Sequence, residues 1–252
     1  MFETIATLYV ETFGILLGAA VIGLLTLGAM RAGFPQGRTA RALGGLALLL
    51  AVWFAAMGPL ARAGLLLPPP TVTDPPLALM PLIGGAALLW ALGRYTTAGR
   101  AILGGLDQRH LIGFQVFRVM GGLFLLGWAM GDIPWQFALP AGLGDLWAGV
   151  AAMGALSALN RGAANAPARV IRANVIGLAD FAVAVTTGLL TSEGFLHLLS
   201  RDAPNIINLY PLALFPAWFV PLFISFHLFS LAALRGSAEA KAPAKHLTGD
   251  TT

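Results

Sequence analysis

The chain has 252 residues, of which 58% are hydrophobic and only 10% are charged, and it contains no cysteine. Soluble domains carry about 25% charged residues, so this composition excludes an ordinary soluble domain, and the missing cysteine excludes disulfides and thiolate catalysis. The net charge of +4 does not indicate nucleic-acid binding, because the basic residues stand singly between apolar stretches. We therefore predict an integral membrane protein, with the lipid bilayer as its first partner and the bacterial cytoplasmic (inner) membrane as its location.

Seven stretches have the length and hydropathy of membrane-spanning helices, since about 20 apolar residues cross the hydrocarbon core. This pattern predicts an all-α bundle of seven transmembrane helices over residues 1–235. A cytoplasmic tail over 236–252, poor in large apolar residues, is predicted to be disordered. In chain order the predicted spans are 7–30, 42–61, 77–93, 111–130, 134–157, 170–191 and 208–234.

The distribution of basic residues predicts the orientation of these spans. Of the 15 Lys and Arg residues, only Arg62 and Arg201 fall in segments on the side of the N-terminus, and Arg118 falls inside a span. All the others fall in the loops and tail of the opposite side. Because loops rich in Lys and Arg stay in the cytoplasm, the N-terminus is predicted outside and the C-terminus inside.

Three charged residues, Arg118, Asp145 and Asp180, lie within predicted spans. Arg118 lies about 12 Å into the fourth span, and each aspartate lies near the middle of its helix. An unpaired charge in lipid costs roughly 2.5–3.5 kcal/mol or more, so these side chains are expected to meet one another or water. A forked guanidinium can hold two carboxylates, which predicts an Arg–Asp–Asp centre at mid-membrane.

The two aspartates share a local pattern: Gly142-Leu143-Gly144-Asp145 in the fifth span is repeated as Gly177-Leu178-Ala179-Asp180 in the sixth. Each aspartate lies on a helix face with small residues at i−3, i+4 and i+7. Small residues let helices approach closely in lipid, so both carboxylates are predicted to face the bundle interior.

Further polar residues are predicted to extend this centre. Gln115 lies one turn before Arg118, Asn174 lies near the start of the sixth span, and His227 lies in the last span at a similar depth. Glu11, near the outer end of the first span, is a candidate for an outer entrance. Substrate binding or proton coupling is the chemistry predicted for the centre, and no catalytic residue is predicted.

No cofactor and no metal site is predicted. A retinal Schiff base needs a lysine inside a span, and Lys241 and Lys245 both fall in the tail. The four histidines do not form facing pairs, so they do not indicate haem or zinc.

Three functions fit this pattern. The leading one is a small-solute or proton-coupled transporter, since such proteins bind at the midplane between helices. The alternative is a non-enzymatic membrane subunit, for ligand sensing or assembly, whose buried charges are structural. Substrate and oligomeric state are left open by the sequence.

The third function comes from a resemblance. Gly142-Leu143-Gly144-Asp145 resembles the GxGD motif of intramembrane aspartyl proteases, which implies that Asp145 is one catalytic carboxylate and a second membrane aspartate its partner. In that family the second aspartate precedes the motif, whereas Asp180 follows it here. The whole pattern also resembles multi-pass bacterial integral membrane proteins of uncharacterised function, which implies no particular activity.

Overall fold

The computed structural model describes residues 1–241, with side chains to residue 236. Every regular element within this range is helical. In order these are α1 (Phe2–Arg31), α2 (Gln36–Arg62), a π-helical turn (Met80–Gly84) leading into α3 (Gly85–Tyr95), α4 (Thr97–Gly104), α5 (Gln108–Gly113), a 3₁₀ segment (Phe114–Gly121), α6 (Gly122–Ala129), α7 (Trp135–Asn160), α8 (Ala166–Thr191), and a second π-helical turn (Phe215–Phe219) leading into α9 (Val220–Lys241).

Among the described residues, six helical segments are long and apolar enough to cross a membrane. They are Phe2–Arg31, Gln36–Arg62, Gln108–Ala129, Trp135–Asn160, Ala166–Thr191 and Phe215–Gly236. These correspond to six of the seven predicted spans, and the chain is an all-helical membrane protein. The remaining prediction, 77–93, falls on the π-helical turn and the 11-residue α3. Of the predicted tail, residues 242–252 lie outside the described range.

Side-chain caps begin the two short helices α4 and α5. The Thr96 hydroxyl accepts a hydrogen bond from the Gly99 N–H at 2.9 Å and so begins α4, and Asp107 accepts from the Arg109 N–H at 2.8 Å to begin α5. Both π-helical turns begin next to a proline, Pro81 or Pro216, which cannot donate a backbone hydrogen bond.

The connections divide the bundle into two ends. At one end, which we call the loop end, the α2–α3 loop contacts the α8–α9 loop: the Phe195 N–H donates to the Pro69 carbonyl at 3.0 Å and Asn208 donates to the Leu66 carbonyl at 2.9 Å. At the opposite, turn end lie the short α1–α2 and α7–α8 connections. There α4 packs so closely on α1 that a methyl group at Gly28 would overlap the Ile102 carbonyl.

The packing places α7 and α8 side by side along their length, with the 3₁₀ segment and α6 against α7. An aromatic core joins the 3₁₀ segment, α2, the second π-helical turn and α9: the Phe114 and Phe226 rings stack with centroids 4.1 Å apart, and Trp218 packs on Trp53 at 5.3 Å. The polar residues described below lie between this core and the α7–α8 pair.

Candidate functional site

Arg118 lies in the 3₁₀ segment and its side chain is completely buried. Its Nε donates to Asp145 Oδ1 at 2.8 Å, and its Nη2 lies 2.7 Å from the same oxygen. The Nη2 also pairs with Asp180 Oδ2, and Nη1 donates to the Gly177 carbonyl at 2.8 Å. The guanidinium carbon lies 3.7 Å from the centroid of the Phe181 ring. One arginine therefore joins the 3₁₀ segment to α7 and to α8.

The cluster of these three side chains is unbalanced in charge. When all three are ionised, one guanidinium faces two carboxylates and one net negative charge is left. A charge in the membrane interior is costly unless it is paired. The cluster therefore reaches neutrality only with one additional positive charge, such as a proton or a small cation.

Glycines make room for each polar side chain of the site. A methyl group at Gly121 would overlap the Asp145 carboxylate, one at Gly144 would overlap the Asp180 carboxylate, and one at Gly177 would overlap the His227 imidazole. The helices can approach closely at these points only because the glycines carry no side chain. The repeated pattern around the two aspartates thus has a packing function.

The small-residue faces predicted from the sequence lie as expected for α7. Gly142 packs on Leu125 and Gly149 on Val119, both in the span that carries Arg118. Ala152, further along the same face, is fully buried.

A second group of polar residues, which we call the polar chain, runs from the cluster toward the turn end through His227, Asn174, Ser230 and Gln108. His227 Nδ1 lies 2.8 Å from Asn174 Oδ1, and Asn174 Nδ2 donates to Ser230 Oγ at 2.9 Å. The Ser230 hydroxyl donates to Gln108 Oε1 at 2.8 Å, and Gln108 Nε2 donates back to the Ser230 carbonyl at 2.7 Å. His227, Asn174 and Ser230 are buried, while Gln108 is partly exposed at the start of α5.

The hydrogen-bond directions in this polar chain assign the tautomer of His227. Because Asn174 Nδ2 donates to Ser230, its Oδ1 is left to accept, so His227 Nδ1 carries the proton. The other ring nitrogen, Nε2, is buried without a hydrogen-bond partner and lies against Gly177 beside Arg118. In the neutral imidazole, Nε2 therefore holds its lone pair next to the charged cluster.

The other predicted residues lie apart from the cluster. Gln115 is buried, but its amide donates to the Phe223 carbonyl at 3.0 Å rather than to the charged groups. Glu11 accepts a hydrogen bond from the Tyr210 hydroxyl, and the Tyr210 ring lies 3.5 Å from the Arg62 guanidinium carbon. Sequence reasoning missed Gln108 and Ser230, although Ser230 lies one turn after His227 and so shares its face.

A cavity of about 80 Å³ reaches both carboxylates from the loop end. Asp145 and Asp180 form its deep wall, and Arg118 is not part of the lining. The remaining wall is mostly apolar and comes from both π-helical turns, α6, α7, α8 and the α8–α9 loop, including Leu82, Phe124, Phe137, Gly188, Asn208 and Pro216. The two negative groups thus face the cavity while the positive group is sealed behind them.

Residues 75–235 match the family model described as "Domain of unknown function (DUF8737)". The chain belongs to this family. Comparison with curated proteins and with solved structures finds no match. The family region contains the whole charged cluster and the polar chain from His227 to Gln108, while α1, α2 and Glu11 precede it.

Proposed function

We propose that the protein is a small proton-coupled transporter of the bacterial cytoplasmic membrane, in which Asp145 and Asp180 carry the coupling proton. The observation that carries this proposal is the cavity, whose deep wall is formed by both carboxylates but not by Arg118. Ion pairs that only link helices would not need a cavity that reaches the two carboxylates but not the arginine. Because the ionised cluster has one net negative charge, the ligand that would neutralise it is a proton or a small cation.

The size of the cavity favours the proton over a larger solute in this conformation. Pockets for drug-sized ligands measure roughly 300–1,000 Å³. The cavity of about 80 Å³ is far smaller than such a pocket, but it is larger than the roughly 10–15 Å³ that one water molecule needs. The cavity is therefore large enough for water molecules beside the carboxylates, while a co-transported solute would require the helices to move.

Access from the opposite end is supplied, in this proposal, by the polar chain. His227 offers an unprotonated Nε2 beside Arg118, and its hydrogen bonds continue through Asn174 and Ser230 to Gln108 near the turn end. Arg118 separates the cavity from this chain. Such a barrier with polar access on each side suits alternating exposure of a midplane site.

The proposal includes seven crossings with the N-terminus outside. Contacts support a crossing by α3, although it is short. Gly85 at its start lies against Trp53 in the second half of α2, and Gly93 near its end lies against Phe229 in α9. The following α4 then reaches Gly28 at the turn end. With the positive-inside rule, the loop end would face the outside.

Glu11 is proposed as a latch at the outer entrance. It does not line the cavity, but it holds the Tyr210 hydroxyl. Tyr210 lies two residues after Asn208, which forms part of the cavity wall. In this proposal, release of this contact loosens the part of the α8–α9 loop around Tyr210 and widens access to the carboxylates.

A structural subunit is the second candidate, because all three guanidinium nitrogens of Arg118 have acceptors. The third candidate, an intramembrane aspartyl protease, has less support. The packing against Leu125 and Asp180 accounts for Gly142 and Gly144, and both carboxylates are held by Arg118.

The proposal is tested with purified protein in liposomes that contain a trapped pH indicator. A potassium diffusion potential, negative inside, is imposed with valinomycin. We expect proton influx with the wild type and at least a tenfold slower influx with Asp180→Asn. Gly154→Ala is the matched control in α7, because a methyl group there meets only Arg169 Nη1 at 3.9 Å. The proposal requires that the carboxylates pass protons down this potential even without a co-transported solute, so equal flux in wild type, Asp180→Asn and protein-free liposomes would overturn it.

A further inference from the structure

A second, larger cavity lies near the turn end and is separate from the charged cluster. It measures about 440 Å³ and is bounded by α1, α2, α3, α4 and α9. Its floor is formed by buried apolar side chains, among them Leu89, Leu222 and Phe226. This volume lies within the roughly 300–1,000 Å³ typical of ligand pockets.

The opening of this cavity lies along α2. Gly45 and Arg41 line the cavity and are both exposed, one turn apart on the same helix face. Residues of α2 that face away from the bundle face lipid in a membrane, so the cavity opens sideways toward the acyl chains. A water-soluble ligand would have to enter the bilayer before it could reach this opening, whereas lipid acyl chains already lie beside it.

Arg41 supplies a charged group at the mouth of this apolar space. It lies about 8 Å from the start of α2, the depth of lipid headgroups. Its Nε donates to the Gly37 carbonyl at 3.2 Å, and the other two guanidinium nitrogens have no acceptor among the side chains and backbone that the structure describes. The depth of Arg41 and its positive charge both suit a lipid phosphate, which an arginine can bind with two parallel hydrogen bonds.

We propose that this cavity binds one acyl chain of an anionic phospholipid, with Arg41 holding its phosphate. Basic pockets between transmembrane helices near the cytoplasmic face are a known mode of anionic lipid recognition. The lining contains a single cationic residue beside two hydroxyl groups, Thr96 and Ser225, and is otherwise apolar. The site does not depend on the function proposed for the charged cluster.

Native mass spectrometry of the delipidated protein, titrated with phosphatidylglycerol or phosphatidylcholine, tests this site. We expect one tightly held phosphatidylglycerol and at least fivefold weaker binding of phosphatidylcholine. Arg41→Gln should weaken phosphatidylglycerol binding about fivefold, since one basic residue contributes about that factor. Arg38→Gln is the control, because Arg38 does not line the cavity.

A pair of neighbouring glycines tests the acyl-chain part separately. A Cβ atom added at Gly44 or at Gly45 meets nothing within 4 Å, but only Gly45 lines the cavity. Gly45→Phe should therefore fill the cavity and abolish phosphatidylglycerol binding, while Gly44→Phe should leave it unchanged. Wild-type binding in Gly45→Phe, or equal affinity of the wild type for both lipids, would overturn the proposal. Should Gly45→Phe fail to fold, the Arg41→Gln and Arg38→Gln comparison still decides it.

Discussion

The carboxylate of Asp180 occupies the space that a side chain at Gly144 would need. Gly144, which directly precedes Asp145 in α7, thus leaves the space that the Asp180 side chain of α8 fills. Gly121 receives Asp145 in the same way, so each carboxylate reaches Arg118 across a glycine of the neighbouring helix. Close helix approach and charge pairing depend on each other at this site.

Alanine at Gly144 should disrupt this arrangement. The added methyl group would push Asp180 away from Arg118, and overpacking of this kind costs about 1–3 kcal/mol of unfolding free energy. Thermal unfolding in detergent measures the effect, with Gly154→Ala in the same helix as control. That control should be neutral or slightly stabilising, since alanine favours helix over glycine. Equal stability of both variants would mean that the contact between Gly144 and Asp180 is not made.

The charge count of the cluster predicts a strongly non-additive double-mutant cycle. Asp145→Asn or Asp180→Asn alone removes the excess negative charge and leaves Arg118 one carboxylate, so each should cost less than about 1.5 kcal/mol. The double variant leaves a buried guanidinium without any carboxylate, which should cost about 3–5 kcal/mol. Denaturant or thermal unfolding of the four proteins gives the coupling energy. If the two single variants lose similar amounts of unfolding free energy and the double variant loses their sum, the cluster is a structural link that needs both ion pairs.

Asn174 should matter more for transport than for folding. Asn174→Leu removes the acceptor of His227 Nδ1 and one of the two partners of the Ser230 hydroxyl, which keeps its bond to Gln108. Interhelical hydrogen bonds in membranes contribute about 0.6 kcal/mol on average, so the loss of stability should be small, about 1–2 kcal/mol. Proton influx into liposomes should nevertheless fall at least tenfold, because the polar chain is cut. Ser225→Ala, which loses only a bond to the Pro221 carbonyl within its own helix, is the control.

The latch proposed at Glu11 predicts a gain rather than a loss of activity. Tyr210→Phe removes the hydroxyl that Glu11 accepts and keeps the ring that packs on Arg62. One hydrogen bond contributes about 1 kcal/mol, so the population with a released loop should rise about fivefold. Proton influx at low external buffer strength should rise by a similar factor. Unchanged or lower influx would remove Glu11 and Tyr210 from the gating scheme.

The absence of cysteine from the chain permits a direct test of the crossing number. Val72 and Tyr95 are 78% and 73% exposed and lie before and after the helix α3. With seven crossings, Val72→Cys should react with an impermeant maleimide on intact cells, and Tyr95→Cys only after permeabilisation. Reaction of both from the same side would show that α3 does not cross.

Much of this architecture follows from the sequence because lipid imposes strict rules. Six apolar stretches had to form long helices, since backbone polar groups in lipid must be satisfied internally. Arg118, Asp145 and Asp180 had to meet for the same energetic reason, and the structure joins them. The small residues beside the aspartates correctly indicated close helix contacts.

Other features depend on contacts that no local pattern encodes. The 3₁₀ geometry around Arg118 has little sequence signal apart from Gly121-Gly122 at its end. The sequence places Gln115 one turn from Arg118 and so predicts it in the charged centre, whereas its amide donates to the Phe223 carbonyl of α9. Gln108 joins the site only because α5 begins beside Ser230, and the distance between them along the chain conceals that contact.

Infrared spectroscopy of the reconstituted protein during pH titration tests the central claim most directly. If the charged cluster binds a coupling proton, the carbonyl-stretch band of a protonated carboxyl group should appear and disappear reversibly with pH. Asp180→Asn or Asp145→Asn should remove or shift that band, while Gly154→Ala should keep it. A wild-type spectrum with no titrating carboxyl band assignable to either aspartate would contradict the account, and would identify Arg118 and its partners as a permanently ionised structural link.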